Sequence, residues 1–284
     1  MEKMKIRLID NLSVHSVDAY GYRSFTPFVE PSLIEWVEDE REVAVFTDRS
    51  LDSDTIRNID SDMKVGWLVE CRSVHPMAYE KVIQVEDQLD YIFTFDEQLL
   101  ARGEKYVKNL IGTSRIIQAH AGIYKKSKLV SLIASEKTYC EGHSYRHQIV
   151  NQLKEKHPID LWGRAYKAMP EGFKALALAE YGFSIVVENS KYKDYFTEKI
   201  VDCFRTGTVP IYWGCENIQE YFDMDGIIVF NSIPELDDIL GSITLEDYKE
   251  RLGFVINNFE LANKWISMDD TLATNLREKI NEQR

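Results

Sequence analysis

Two open α/β units in tandem are the fold class that this sequence predicts. Three observations lead there. Short apolar runs alternate with helix-period stretches rather than with two-residue turns, the pattern of parallel sheets with crossover helices. The length, 284 residues, is just under two domains at about 150 residues each. A short basic segment containing a glycine, HAGIYKKSK at 120–128, separates two sets of strand candidates. The expected division is therefore 1–124, 125–265 and a terminal helix over 266–284. One continuous α/β domain is the alternative that these patterns leave open.

In the first half, KIRLID (5–10), EVAVFT (42–47), KVGWLVE (64–70), YIFTF (91–95) and RIIQA (115–119) read as strands. Helical stretches fall near 28–38, 76–88 and 96–108. The second half repeats the rhythm with KLVSLIAS (128–135), a helix near 143–156, IDLWG (159–163), a helix near 173–180 and FSIVVEN (183–189). A helix over 194–206, then TVPIYWG (208–214) and GIIVFNS (226–232), complete it. Helix dominates after 245, and the last one places Leu272 and Leu276 at i,i+4 with Ile280 next.

Composition narrows the function. Hydrophobic residues make up 44% and charged residues 29%, the profile of a globular chain with its own core. A net charge of -13 argues against nucleic acid or an anionic membrane as the main partner. It does not exclude a phosphate-bearing small ligand held in a locally positive pocket. No window approaches the ~18 apolar residues of a membrane span, and the N-terminal apolar stretch is too short for a signal peptide. The four cysteines, Cys71, Cys140, Cys203 and Cys215, show no CxxC spacing and read as free thiols of a reducing cytoplasm. No GxGxxG follows the first strand, where the sequence is IDNLSVHSV, so a dinucleotide-dependent oxidoreductase is disfavoured.

The most informative stretch is YGFSIVVENSKYKDYFTEKIVDCFRTGTVPIYWG (181–214). A buried-strand run, Ile185 to Val187, ends in the polar Glu188, Asn189 and Ser190. Phe196, Ile200, Cys203 and Phe204 then fall at helical spacing, and Gly207 marks a stop before the next strand. This places a helix start at the C-terminal edge of a sheet, where unpaired N–H groups and the helix dipole attract phosphate. Lys199 lies one turn in and is suited to a phosphate oxygen, while Glu198 is suited to a sugar hydroxyl. The plain alternative is that Glu198 caps the helix electrostatically and Lys199 is solvated.

The segment ENSKYKDYFTEK resembles the donor-binding motif of the α1,3/α1,4-fucosyltransferase family (glycosyltransferase family 10). The matching residues are Glu188, Asn189, Ser190, Asp194, Tyr195, Thr197, Glu198, Lys199, Gly207, Val209 and Pro210. The likeness is strongest from about 128 to 232. It implies a GT-B architecture, two Rossmann-like domains facing a cleft, with a nucleotide sugar held mainly by the C-terminal one. It implies GDP-fucose as donor substrate, a carbohydrate acceptor and no bound cofactor. Lys199 would then meet the phosphates and Glu198 the ribose, with Glu188, Asn189 and Tyr195 in the same wall. Arg146, in GHSYR, is similar to the family's arginine on the pyrophosphate, and its fork of donors suits a diphosphate.

Other candidates rest on chemistry alone. Arg164 follows Gly163 at a strand end, within reach of a phosphate or simply solvated. His120 and Asn231 are further possible ligand contacts, the second at the nucleotide base or in an ordinary turn. His143 and His147 are an i,i+4 pair, but they lack the HExxH glutamate and a third ligand, so no metal is expected. The DMD string at 223–225 reads as a turn. The first half does not match the family's better-known members, so the acceptor side is read from chemistry. Inverting transfer needs a base at an N-domain strand end. Glu70 is the candidate, with Asp48, Asp96 and Glu97 as rivals and Trp67 and His75 on the same rim. Another nucleotide-diphospho sugar, or a noncatalytic nucleotide- or carbohydrate-binding role, remains the alternative. Acceptor identity, linkage and oligomeric state are not legible.

Overall fold

The computed structural model describes residues 2–10 and 24–282. The chain forms two units, one of residues 1–111 and 267–284, the other of 112–266.

The first unit is a six-stranded parallel sheet in the order β2-β1-β3-β4-β5-β6. Its strands are β1 (Met4–Ile9), β2 (Ile34–Val37), β3 (Val43–Thr47), β4 (Met63–Trp67), β5 (Tyr91–Thr94) and β6 (Tyr106–Lys108). The crossovers carry α1 (Ser53–Asn58), α2 (Pro76–Val85) and α3 (Glu97–Leu100). β3 is buried along its whole length, as an inner strand covered on both faces must be. Ala44, Phe46, Ile56, Tyr79, Val82 and Ile92 belong to one core cluster.

Three expectations for this half are corrected. Residues 28–38 are not a helix but lead into β2, because Pro31 breaks the helical pattern and the edge strand pairs in parallel with β1. The helix near 96–108 shrinks to the single turn of α3, since Tyr106 to Lys108 pair with β5. RIIQA is not a strand: the Arg115 N–H goes to the Asp202 carboxylate (2.7 Å) and the Ile116 N–H to Ser114 Oγ (3.1 Å).

The second unit is a five-stranded parallel sheet in the order β11-β10-β9-β7-β8. Its strands are β7 (Lys128–Ile133), β8 (Ile159–Trp162), β9 (Tyr181–Val187), β10 (Val209–Trp213) and β11 (Ile228–Val229). The helices are α4 (Glu141–Leu153), α5 (Glu198–Arg205), α6 (Ile233–Ser242), α7 (Leu245–Glu250) and α8 (Leu252–Leu261). The helix expected near 173–180 is a single 3-10 turn, Lys174–Ala177. The DMD string is a turn, with Met224–Gly226 in a 3-10 segment. Residues 112–124 belong with this unit, which puts the division before the expected 124/125. Ser114 and Arg115 bond to Asp202, and the Gly122 N–H to the Arg205 carbonyl (2.9 Å).

The last helix, α9 (Met268–Glu282), belongs to the first unit. The fully buried Asp269 accepts from the N–H groups of Phe25 and Thr26, Ser24 Oγ and Trp36 Nε1. Asp270 accepts from the N–H groups of Ser32 and Leu33 and from Ser32 Oγ. Leu272 and Leu276 are fully buried beneath them. No helix among the described residues is long and apolar enough to cross a membrane.

Candidate functional site

In chain order, the second sheet begins two strands on one side and three on the other. β8 lies outside β7, and the chain then returns past β7 to add β9, β10 and β11. The direction of winding therefore reverses between β7 and β9. Open parallel sheets bind ligands at such a point, outside the carboxyl ends of the two strands. The loop after β7 leads into α4, and the loop after β9 leads into α5.

These two loops carry most of the residues singled out from sequence. Gly142, in the first turn of α4, donates its N–H to the Asn189 carbonyl (3.0 Å). A Cβ at Gly142 would sit 1.7 Å from the Glu188 carbonyl oxygen, so only glycine lets the two loops touch here. One turn on, Arg146 is 7% exposed. It donates from Nε to the Gly142 carbonyl (3.0 Å) and from Nη2 to Asn189 Oδ1 (2.9 Å).

Glu188 is turned inward. It is fully buried and accepts from the Thr197 N–H (2.9 Å) and Thr197 Oγ1 (2.7 Å). Thr197 is the N-cap of α5, and its hydroxyl also accepts from Lys199 Nζ (2.9 Å). Lys199 Nζ lies 3.4 Å from both Glu188 and Glu198. Glu188 thus ties the loop after β9 to the start of α5 and anchors the lysine from below. Tyr195 is almost wholly buried in the same loop.

Charge is concentrated at this helix start. Burial would raise the Glu198 pKa, but Lys199, Arg115 and Lys174 hold it well below the usual carboxylate range. Burial works against a charged Lys199, yet Glu198 and Glu188 raise its pKa above the ordinary value. Burial lowers that of Arg146, opposed by Glu188. Lys174 is itself held by the buried Asp202 at 2.6 Å. Arg146 and Lys199 therefore stand as cations in a largely dehydrated place, where a polyanion gains most from them.

The remaining candidates are placed elsewhere. Gly163 (φ 102°) has the Ala134 carbonyl where its Cβ would be, at 2.0 Å; its bareness serves packing against the neighbouring strand end. Arg164 next to it is exposed and stands after the edge strand β8. His120 packs on Phe173 with ring centroids 5.2 Å apart, near residues that bond to Arg205 at the far end of α5. Asn231 accepts from Lys191 Nζ (2.8 Å) and lines two open cavities of ≈ 300 and ≈ 450 Å³ together with Trp213. Tyr145 and Gln148 of α4 border the smaller one. Neither cavity is lined by Arg146 or Lys199. His143 is bonded to Cys140 Sγ (2.9 Å), and burial pushes its pKa down to about 4. His147 meets the Lys137 carbonyl (3.2 Å).

Sequence reasoning gave no role to Thr197 and overlooked Gly142, Arg115 and Lys174. A threonine just before an acidic first turn is an N-cap signal that identifies Thr197; the other three depend on contacts distant in sequence.

In the first unit, the rivals for the acceptor base separate. Asp96 caps α3 and pairs with Arg72 (2.9 Å). Asp48 is 7% exposed and accepts two backbone N–H groups. Glu97 is exposed in the first turn of α3. Glu70 is half-buried, three residues beyond the end of β4 rather than at its last position. Trp67 is core, stacked on Trp36 with centroids 6.3 Å apart.

Residues 123–250 match the family model described as glycosyltransferase family 10 (fucosyltransferase) C-term. A 3-galactosyl-N-acetylglucosaminide 4-alpha-L-fucosyltransferase of Bos taurus is 30% identical over 107 residues. That stretch is 37% of this chain and 28% of the relative, so the match spans less than a third of the relative's own length. The crystal structure of an alpha1,3-fucosyltransferase with GDP superposes with a TM-score of 0.55 at 16% identity, over 96% of this chain and 91% of that one. Anabaena Alr3699/HepE in complex with UDP and glucose gives 0.55 at 11%, over 98% and 100%. At these identities the likeness establishes the fold alone: two Rossmann-like units of the GT-B type.

Proposed function

Residues 123–250 belong to glycosyltransferase family 10, and from that premise we propose that the protein is an inverting glycosyltransferase. It moves fucose from GDP-fucose to a hydroxyl of a glycan acceptor. The observation that carries the reading is the meeting of Arg146, Lys199 and the first turn of α5 where the second sheet reverses its winding. The fucose assignment rests on the family match and on the 188–199 motif.

Each residue then has a task. Arg146, aligned by Asn189, and Lys199, anchored by Glu188 and Thr197, hold the diphosphate. They stabilise the charge that develops as the bond from the anomeric carbon to the phosphate oxygen breaks. Glu198, kept ionised by its three cations, accepts hydrogen bonds from donor hydroxyls, and Tyr195 completes the wall. Arg164, His120 and Asn231 are secondary candidates; Asn231 is the one beside a cavity suited to part of a nucleotide. Glu70 takes the acceptor's hydroxyl proton as that oxygen attacks the anomeric carbon. GDP-fucose enters as substrate, and the scheme calls for no cofactor.

Hydrolysis and transfer measured across a panel of nucleotide sugars test this. Turnover with GDP-fucose supports it. Turnover only with a UDP-linked donor contradicts the fucose assignment, and tight nucleotide binding without turnover of any donor favours a binding protein.

A further inference from the structure

The first sheet also reverses its winding, between β1 and β3, and Asp10 and Asp48 follow those two strands. Asp48 is nearly buried, a costly place for a carboxyl group unless its oxygens are bonded. Oδ1 accepts the Val69 N–H (3.0 Å) and Oδ2 the Glu70 N–H (3.2 Å). These are the first two N–H groups past the ladder, whose last bond runs from Leu68 to the Phe93 carbonyl (3.0 Å). On the other side of Glu70, the Tyr79 hydroxyl donates to its carbonyl (2.8 Å). Tyr79 is itself held under Arg72, 4.5 Å from the ring centroid, and Arg72 is paired with Asp96. Both peptide groups flanking the Glu70 Cα are therefore fixed, while its carboxylate has no hydrogen bond or ion pair among the described residues.

We propose that Asp48 is a positioning residue that, with Tyr79, fixes the backbone of Glu70 and so aims its carboxylate at the acceptor hydroxyl. The proposal rests on Glu70 acting as the base. The surrounding charged and titratable groups are Asp10, Arg49, Glu70, Cys71, His75, Tyr79 and the Arg72–Asp96 pair. Burial, then Glu70 and Asp10, push the Asp48 carboxyl up to about 8 against the pull of the two N–H groups. Near neutrality it clamps the loop mostly as a neutral acid, without setting a second full negative charge beside Glu70.

A double-mutant cycle on the full chain tests this, with GDP-fucose as donor and a fucose-accepting oligosaccharide. Glu70→Gln lowers kcat by about 100-fold or more. Asp48→Asn lowers kcat by about 10- to 100-fold with the donor KM unchanged. In the Glu70→Gln background, Asp48→Asn produces no further loss, because its effect passes through Glu70. Tyr79→Phe acts in the same direction and carries the test should Asp48→Asn not fold, as judged by circular dichroism. Wild-type kcat in folded Asp48→Asn, or losses that multiply in the double variant, overturns the positioning role and leaves Glu70 as base. Full activity of Glu70→Gln overturns the base assignment itself.

Discussion

Lys199 sits between two carboxylates at 3.4 Å, with its Nζ also on the Thr197 hydroxyl, so its position is set before any ligand arrives. A preset cation loses little freedom on binding and meets phosphate as a charge-assisted contact worth about 1.5–3 kcal/mol. Lys199→Ala is expected to raise the dissociation constant of GDP by about 10- to 100-fold, read by calorimetric titration. Unchanged affinity in the folded variant would remove the lysine from the phosphates. Asp48 yields a second prediction. Its proton is held to about pH 8 in the fold against an ordinary value of 3.8, so the native state binds more protons than the unfolded chain in between. The stability it contributes is complete below about pH 4 and declines as pH rises towards about 8. Denaturant midpoints across that range should fall in the wild type more steeply than in Asp48→Asn; parallel curves would refute the raised pKa. At this scale the motif picked out side chains that the fold brings together, Glu188, Thr197, Glu198 and Lys199, but not their orientation. Glu188 is a donor contact only by the resemblance to the family motif. Its inward turn follows from Thr197, nine positions away, which no local pattern reveals.

The elements explain which parts of the fold were legible. Strands buried on both faces, such as β3, β9 and β10, are continuous apolar runs and read directly from sequence. The edge strands β2 and β6 of the first sheet did not, because they are short and their pairing, not their pattern, makes them strands. The clamp of α9 on residues 24–36 was invisible too, since Asp269 and Asp270 look like ordinary first-turn acids. Asp269→Ala would strand buried donors, including Trp36 Nε1, and is expected to cost at least about 3 kcal/mol in chemical denaturation. A loss below about 1 kcal/mol would show the carboxylate to be incidental. Gly142→Ala tests the junction between α4 and the loop after β9. Its new methyl must displace backbone, at about 1–3 kcal/mol, and GDP binding should weaken because Arg146 moves with the helix. Full GDP affinity in that variant would show that the close approach does not set the arginine.

On the scale of the molecule, both sheets wind in the same sense, reversing between their first and third strands. Candidate chemistry follows those reversals in each unit: carboxylates in the first, cations in the second. The net charge of -13 hides this division. Arg146 and Lys199 are two cations brought together within an acidic chain, the lysine between Glu188 and Glu198, and the pattern of strands and helices was enough to foresee two units but not the return of α9 to the first. The central claim is that the second unit holds a nucleotide diphosphate between Arg146 and Lys199. Calorimetric titration of GDP into the wild type, Arg146→Ala and Lys199→Ala tests it most directly. One site per chain, with affinity lost in both folded variants, is the predicted result; GDP binding of equal strength in all three would contradict it.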